Sequence, residues 1–324
     1  MGNSAQSRIE KLNLVKQPGK EDISGKFTGR MILNFKTMKY ILRLLFLLLV
    51  TTLWNVVYSQ SDLTENNKLI KVWETPPVLI TSESVCYDSD RNILYVSCIN
   101  GNPVDKDNSG FIAKVDLQGN VIDDKWVTGL DAPKGMGIYK GKLYVTDIDN
   151  VVEIDIPTGK ITKKYTVDGA KFLNDIAIGP QGSVYISDMA TNKIIVIGKD
   201  KVAETFVDAK AIKNPNGLLI EGEKLLVGTD DGIYRIRLDN GRHLRIISIE
   251  GGIDGLKSDG EGNYIISDWK GKVQLVNPDN KPVILFDTSD LGINAADLEY
   301  IPSEKLLLIP TFGDNRVSAF RFEE

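Results

Sequence analysis

Residues 174–188 read NDIAIGPQGSVYISD, and this stretch decides how the chain is organised. A short apolar strand, a turn at Gly-Pro-Gln-Gly and a second strand rich in β-branched and aromatic residues spell an antiparallel hairpin. The Asn-Asp pair precedes the first strand, so it is not the hairpin turn. The same plan recurs in ESVCYDSDRNILYVS from Glu83, KGMGIYKGKLYVTD from Lys134 and NGLLIEGEKLLVGTD from Asn216. It returns in DGLKSDGEGNYIISD from Asp254 and ADLEYIPSEKLLLIP from Ala296. First residues are 51, 40, 42, 38 and 42 positions apart, and the long first interval holds a polar insertion, NGNPVDKDNSG.

A third strand follows each hairpin (NVVEIDI, KIIVIG, GIYRIRL, KVQLVN) and a fourth follows in most units, such as ITKKYTV or RHLRIIS. Four short strands per unit of this length predict an all-β fold, a six-bladed β-propeller. No amphipathic helix of useful length lies between the units, which excludes a βαβ fold. The sixth unit has three strands, ending in RVSAFRF. KLIKVWE at residues 68–74 is expected to supply the fourth, because pairing the two ends removes open sheet edges.

The innermost strand of each blade runs along the central channel, so the opening residues should form a ring: Glu83, Lys134, Asn174, Asn216, Asp254 and Ala296. The oxygens of Glu83, Asn174, Asn216 and Asp254 suit a hard divalent cation, Ca²⁺ before Zn²⁺, Mg²⁺ or Mn²⁺. Turn chemistry is the competing account: Asn216-Gly217 and Asp254-Gly255 are common turn formers, and Asp175 and Asp297 read as loop caps. Turn chemistry predicts no shared register and leaves Glu83 unexplained.

These units resemble the family of regucalcin (senescence marker protein), gluconolactonase and luciferin-regenerating enzyme, over about residues 68–322. The resemblance implies a propeller with a divalent metal held by a Glu of the first blade, two middle-blade Asn and the Asp of an Asp-Gly motif. Those correspond to Glu83 in SESV, Asn174 in FLND, Asn216 in PNGL and Asp254 in DGLKSDGEG. It implies hydrolysis of a lactone or similar ester, with Asp254 as first choice of general base and Glu83 as second. Lys134 would orient substrate, neutralise product, or pair with Asp254 or Glu83. Two departures stand out. Ser82 and Ser84 flank the Glu where the family has Pro and Gly, and Phe172 stands where animal sugar-lactonase members carry an Arg.

The chain has 324 residues and a net charge of −5. Residues 1–59 hold 9 of its 39 Lys/Arg and 3 of its 44 Asp/Glu, which leaves 30 against 41, a net −11, on 60–324. So acidic a body is a poor match for nucleic acid. MKYILRLLFLLLVTTLWNVVYSQS, from Met38, has a basic start, an apolar run and small residues at Val57 and Ser59. It reads as an export signal (38–59) rather than a permanent anchor, preceded by an N-terminal extension (1–37) and followed by one propeller domain (60–324). A periplasmic or secreted monomer is expected, touching membrane only through the signal. Cys86 and Cys98 read as separate buried thiols.

Other chemistries lack parts. The only histidine, His243, falls in GRHLRII on an expected outer strand, so a Ser-His-Asp or Cys-His site has no base. No P-loop segment exists. Asp147, Asp188 and Asp268 close second strands and read as caps of the next turn. The alternative function is a non-catalytic propeller that presents loops to a protein or glycan.

Overall fold

A computed structural model of the chain describes residues 69–208, 210–279 and 282–322. The extension (1–37) and the export signal (38–59) lie outside the described residues. Six four-stranded antiparallel sheets make up the fold, joined by turns and short 3-10 segments. Blade 1 runs from the innermost strand Ser82–Asp88 through Ile93–Cys98 and Gly110–Val115 to the outermost Val121–Leu130. Blades 2 to 5 keep this order, starting at Pro133–Tyr139, Leu173–Ile178, Leu218–Glu221 and Leu256–Ser258.

Blade 6 contributes Glu299–Ile301, Leu306–Pro310 and Val317–Phe322, and Leu69–Glu74 completes it. Leu69 pairs with Phe322 and Glu74 with Ser318, so the two ends of the propeller share one sheet. Trp73 Nε1 donates to Leu117 O at 2.9 Å, tying the closing strand to blade 1. The closure expected from KLIKVWE is therefore present. Its physical basis is the cost of two unpaired edges.

The core lies between blades rather than at the hub. Along Ile93–Cys98, Leu94, Val96 and Cys98 pack toward blade 6, with Leu308 and Val317. Tyr95 points the other way, into blade 2, with Leu143 and Val145. A period of two thus serves both neighbours, and a strand buried on both faces loses the polar alternation of a surface strand. Outermost strands are largely exposed: in Lys160–Thr166 only Tyr165 is buried. Cys86 and Cys98 occupy different interfaces, one toward each neighbour, and are free. Burial pushes both thiols well above their ordinary range.

Candidate functional site

The ring residues stand where the inner ladders break. Pairing with the second strand shifts register between Ser82 and Ser84, between Pro133 and Met136, and between Leu173 and Ile176. Glu83, Lys134 and Asn174 fall in those gaps, and such bulges re-aim a side chain out of the sheet. In blades 4 to 6 the inner strand begins two or three residues later, yet the ring residue stays anchored. Asn216 N donates to Gly228 O at 2.9 Å, Asp254 N to Ser267 O at 2.8 Å and Ala296 N to Pro310 O at 3.0 Å. A polar residue ahead of an apolar strand is thus the mark of a side chain turned into the channel.

Five of the six meet. Glu83, Lys134, Asn174, Asn216 and Asp254 line one cavity of about 310 Å³. Ala296 is fully buried and is not part of that wall. Glu83, Asn174 and Asp254 are each 5–6% exposed and Lys134 1%. Asn216 Nδ2 donates to Asp254 Oδ1 at 2.6 Å. Only the amino end of that amide can face a carboxylate, so Asn216 Oδ1 is left as an acceptor. It has no partner, and neither has Glu83 Oε2.

Charge is crowded here. Burial, followed by the charge of Asp254, raises the Glu83 carboxyl well above its ordinary value, with Lys134 opposing. Burial and then Asp297 push Asp254 up to about 7. Lys134 is lowered by burial, with Glu83 working the other way. The lysine is not held by a carboxylate, the pairing its place in the ring allowed. Its Nζ donates to Pro103 O at 3.1 Å and Ala132 O at 3.0 Å, 4.5 Å from the centre of the Phe172 ring. Pro103 belongs to the insertion of blade 1, which folds back over the site.

Among the described residues no three His, Cys, Asp or Glu side chains form a metal-holding group. The donor set offered instead is two carboxylates and two amides. Buried acceptor oxygens without hydrogen-bond donors, Glu83 Oε2 and Asn216 Oδ1, fit a hard cation, because an unpaired buried oxygen is costly unless a positive charge meets it.

The positions after the ring lock neighbouring blades together. Asp175 Oδ2 accepts from Leu218 N of blade 4 at 2.6 Å, and its Oδ1 from Ile176 N at 2.6 Å. Asp297 Oδ2 accepts from Ser84 Oγ of blade 1 at 2.6 Å, while its amide donates to Glu83 O at 3.1 Å. Both are therefore buried staples between blades, not loop caps. The other blades place glycine there, blade 1 excepted. A Cβ on Gly135 would lie 2.5 Å from Asp175 Cα, on Gly217 2.5 Å from Asp254 O, and on Gly255 2.5 Å from Leu298 N. Second-strand hydroxyls brace the same layer: Ser97, Ser187 and Ser267 accept from the amides of Ser84, Asp175 and Gly255. Thr146 Oγ1 donates to Asn174 O at 2.5 Å. Their shared register in YVS, YVT, YIS and IIS is a legible signal that reading the ring residues alone passes over.

Gly217→Ala is accordingly expected to cost about 1–3 kcal/mol and to weaken the site by displacing Asp254. Gly101→Ala, whose Cβ would meet only side-chain atoms at 3.5 and 3.7 Å, is the tolerated control. Equal melting temperatures for the two variants by calorimetry would contradict the close-approach account.

Asp188 caps both the incoming loop, accepting from Lys171 N and Phe172 N, and the next turn through Thr191 N. Asp268 accepts from Lys270 N in the next turn. Asp147 accepts instead from Asp131 N and Ala132 N, so it holds only the incoming loop. His243 lies on the outermost strand of blade 4, as expected.

The cavity wall above the ring comes from loops. Ile99, Phe172, Met189, Trp269 and Phe312 line it with Pro103. Trp269 and Phe312 meet edge to face, with centroids 5.4 Å apart and planes at 78°. Phe312 has φ +48° and Ile148, which clusters with Ile99, Ala132 and Phe312, has φ +59°. Bulky residues in the left-handed region cost on the order of 1–3 kcal/mol each.

No protein-family profile and no curated protein matches the sequence. Solved structures of the same fold do. A gluconolactonase of Xanthomonas campestris has TM-score 0.58 and 14% identity, over 82% of this chain and 93% of that one. A provisionally assigned gluconolactonase has TM-score 0.58 and 17% identity, over 81% and 94%. A catalytically inactive histidine-to-alanine variant of virginiamycin B lyase from Staphylococcus aureus, with quinupristin, has TM-score 0.54 and 13% identity, over 78% and 99%. Likeness at such identities establishes the shared propeller fold.

Proposed function

We propose that the protein is a metal-dependent hydrolase of a lactone or similar ester, with a divalent cation, Ca²⁺ by preference, held by Glu83, Asn174, Asn216 and Asp254. The observation that carries the reading is the pair of partnerless buried oxygens, Glu83 Oε2 and Asn216 Oδ1, in the cavity that Asp254 lines. When bound, such a cation supplies Lewis acidity toward an ester carbonyl and offsets charge growing on its oxygen.

The side chains supply the rest. Asn216 Nδ2 fixes Asp254 Oδ1, which leaves Oδ2 to take a proton from the attacking water. In the cation-free protein burial and Asp297 push that carboxyl up to about 7, and a bound cation would bring it down. Glu83, raised by burial and by the charge of Asp254, is the second candidate base. Lys134, pinned by two carbonyls, places one fixed positive charge at the wall and offsets the carboxylate of the product. The loop residues shield these groups from bulk water, which strengthens each electrostatic contact.

Gluconolactonases and a lyase share the fold, and the chemistry of this cavity favours the hydrolase. The lyase is inactivated by loss of one histidine, and the only histidine here lies on an outermost strand. An exported protein meets calcium outside the cytoplasm, where a site of modest affinity suffices. Lactones and aryl esters are to be screened in calcium and in EDTA. Calcium-dependent turnover is expected. Silence in both, with Asp254→Ala as stable as the parent, would leave a non-catalytic binding propeller as the better account.

A further inference from the structure

The polar groups of the cavity are confined to the ring, and the wall above them is apolar. Ile99, Phe172, Met189, Trp269 and Phe312 offer no side-chain hydrogen-bonding group to the space except the Trp269 indole N–H. Lys134 is the one cation among the residues lining it, and two of its three donors are already spent on Pro103 O and Ala132 O. A polyhydroxylated ring seated on this site could pair hydroxyls only toward the ring residues and toward Asn214, Asp230 and Asp268 of the adjoining cavity, and those facing Ile99, Phe172 and Phe312 would lose their water without replacement.

The wall is also maintained against a backbone penalty. Among the described residues, left-handed positions without glycine are filled mainly by asparagine, lysine, threonine and glutamine. The two large apolar exceptions are Ile148 and Phe312; Phe312 lines the cavity, and Ile148 packs in one cluster with it, Ile99 and Ala132. Asparagine would relieve the strain at either position. Trp269, 48% exposed, extends the same surface outward by stacking its edge on Phe312. Backbone strain at a site's rim points to a use for the side chain that imposes it, here the Phe312 ring.

We infer that the substrate is a lactone or ester bearing an alkyl or aryl substituent, which this wall receives while the carbonyl faces the ring, and that polyhydroxylated sugar lactones are poor substrates. The inference rests on the ester-hydrolase reading and adds the substrate class. The reaction balances as hydrolysis. Water adds to the carbonyl carbon, the acyl C–O bond breaks, and the proton taken by Asp254 passes to the departing alkoxide. The cavity of about 310 Å³ has room for several waters, which an apolar substituent displaces.

Two non-hydrolysable probes share one ring and differ only in what it carries: a hexyl-substituted δ-valerolactam and gluconolactam. Their binding to the protein at about 1 mM calcium is measured by calorimetry. The hexyl lactam should bind about tenfold or more tightly than gluconolactam. Phe312→Asn should weaken the hexyl lactam by about tenfold and gluconolactam by less than about twofold, with a melting temperature equal to or above the parent's. Trp269→Ala, at an exposed position, should act in the same direction. Tighter binding of gluconolactam, or hexyl-lactam affinity unchanged in both variants, overturns the substrate class and leaves the hydrolase reading standing. Failure of both lactams to bind, with no lactone turned over, brings down the hydrolase reading itself.

Discussion

Asp254→Asn is expected to lower calcium-dependent ester hydrolysis by about 10³-fold while raising the melting temperature of the calcium-free protein. Both effects come from one buried carboxylate. Asparagine keeps the shape and can present its oxygen to Asn216 Nδ2, so the 2.6 Å hydrogen bond survives. The proton acceptor is gone, and one of the four oxygen donors proposed for the cation becomes neutral. In the absence of a cation, the same change removes a charge that Glu83 and Asp297 repel in a site shielded from water. Loss of activity with gain of stability is what a group placed for chemistry does, and a structural cap does the reverse. Steady-state kinetics and scanning calorimetry in EDTA decide it. An Asp254→Asn variant that hydrolyses esters at the parental rate would remove Asp254 from the mechanism.

The calcium-free protein is expected to lose stability as pH rises from about 5 to about 8. Asp254 moves from an ordinary 3.8 to about 7, burial leading and Asp297 following. Asp297 moves to about 6, mainly by burial, with Lys257 and Ser84 opposing. Glu83 and Asp175 are raised as well, both chiefly by burial. A carboxyl with a raised folded value keeps its proton after the unfolded chain has released its own. Its contribution to stability is complete below the unfolded value and is lost as pH climbs through the folded one. Between pH 5 and its folded value, at about 1.4 kcal/mol per pH unit, Asp254 alone accounts for roughly 3 kcal/mol, and the melting temperature should fall on the order of 10 °C.

Calcium should reverse the trend, because it binds the ionised carboxylates: a large rise in melting temperature near pH 8 and little near pH 5. Melting curves across that range, in EDTA and in calcium, make the comparison. A flat profile in EDTA, or a calcium effect of equal size at both ends, would mean that the ring carboxylates are not the linked groups.

Six units with a common plan, an acidic body and two thiols in different strands were legible in the chain itself. So were the closing strand at the N-terminal end and the convergence of Glu83, Lys134, Asn174, Asn216 and Asp254. These are properties of a period: once the spacing and the strand alternation repeat, the hub position of each blade follows without knowledge of its neighbours. Tertiary structure alone decided the rest, because the rest depends on how adjacent blades meet. Asp175 and Asp297 look like turn residues until the angle between blades brings Leu218 N and Ser84 Oγ to them. Lys134 looks like a partner for Glu83 until the blade-1 insertion lays Pro103 O beside it. Ile99, Met189, Trp269 and Phe312 share a register too, each two residues past the second-strand position of Ser97, Ser187, Ser267 and Pro310, but nothing in the repeat says that their side chains face one cavity. Their apolar wall exists only once separate loops are carried to one end of a closed ring.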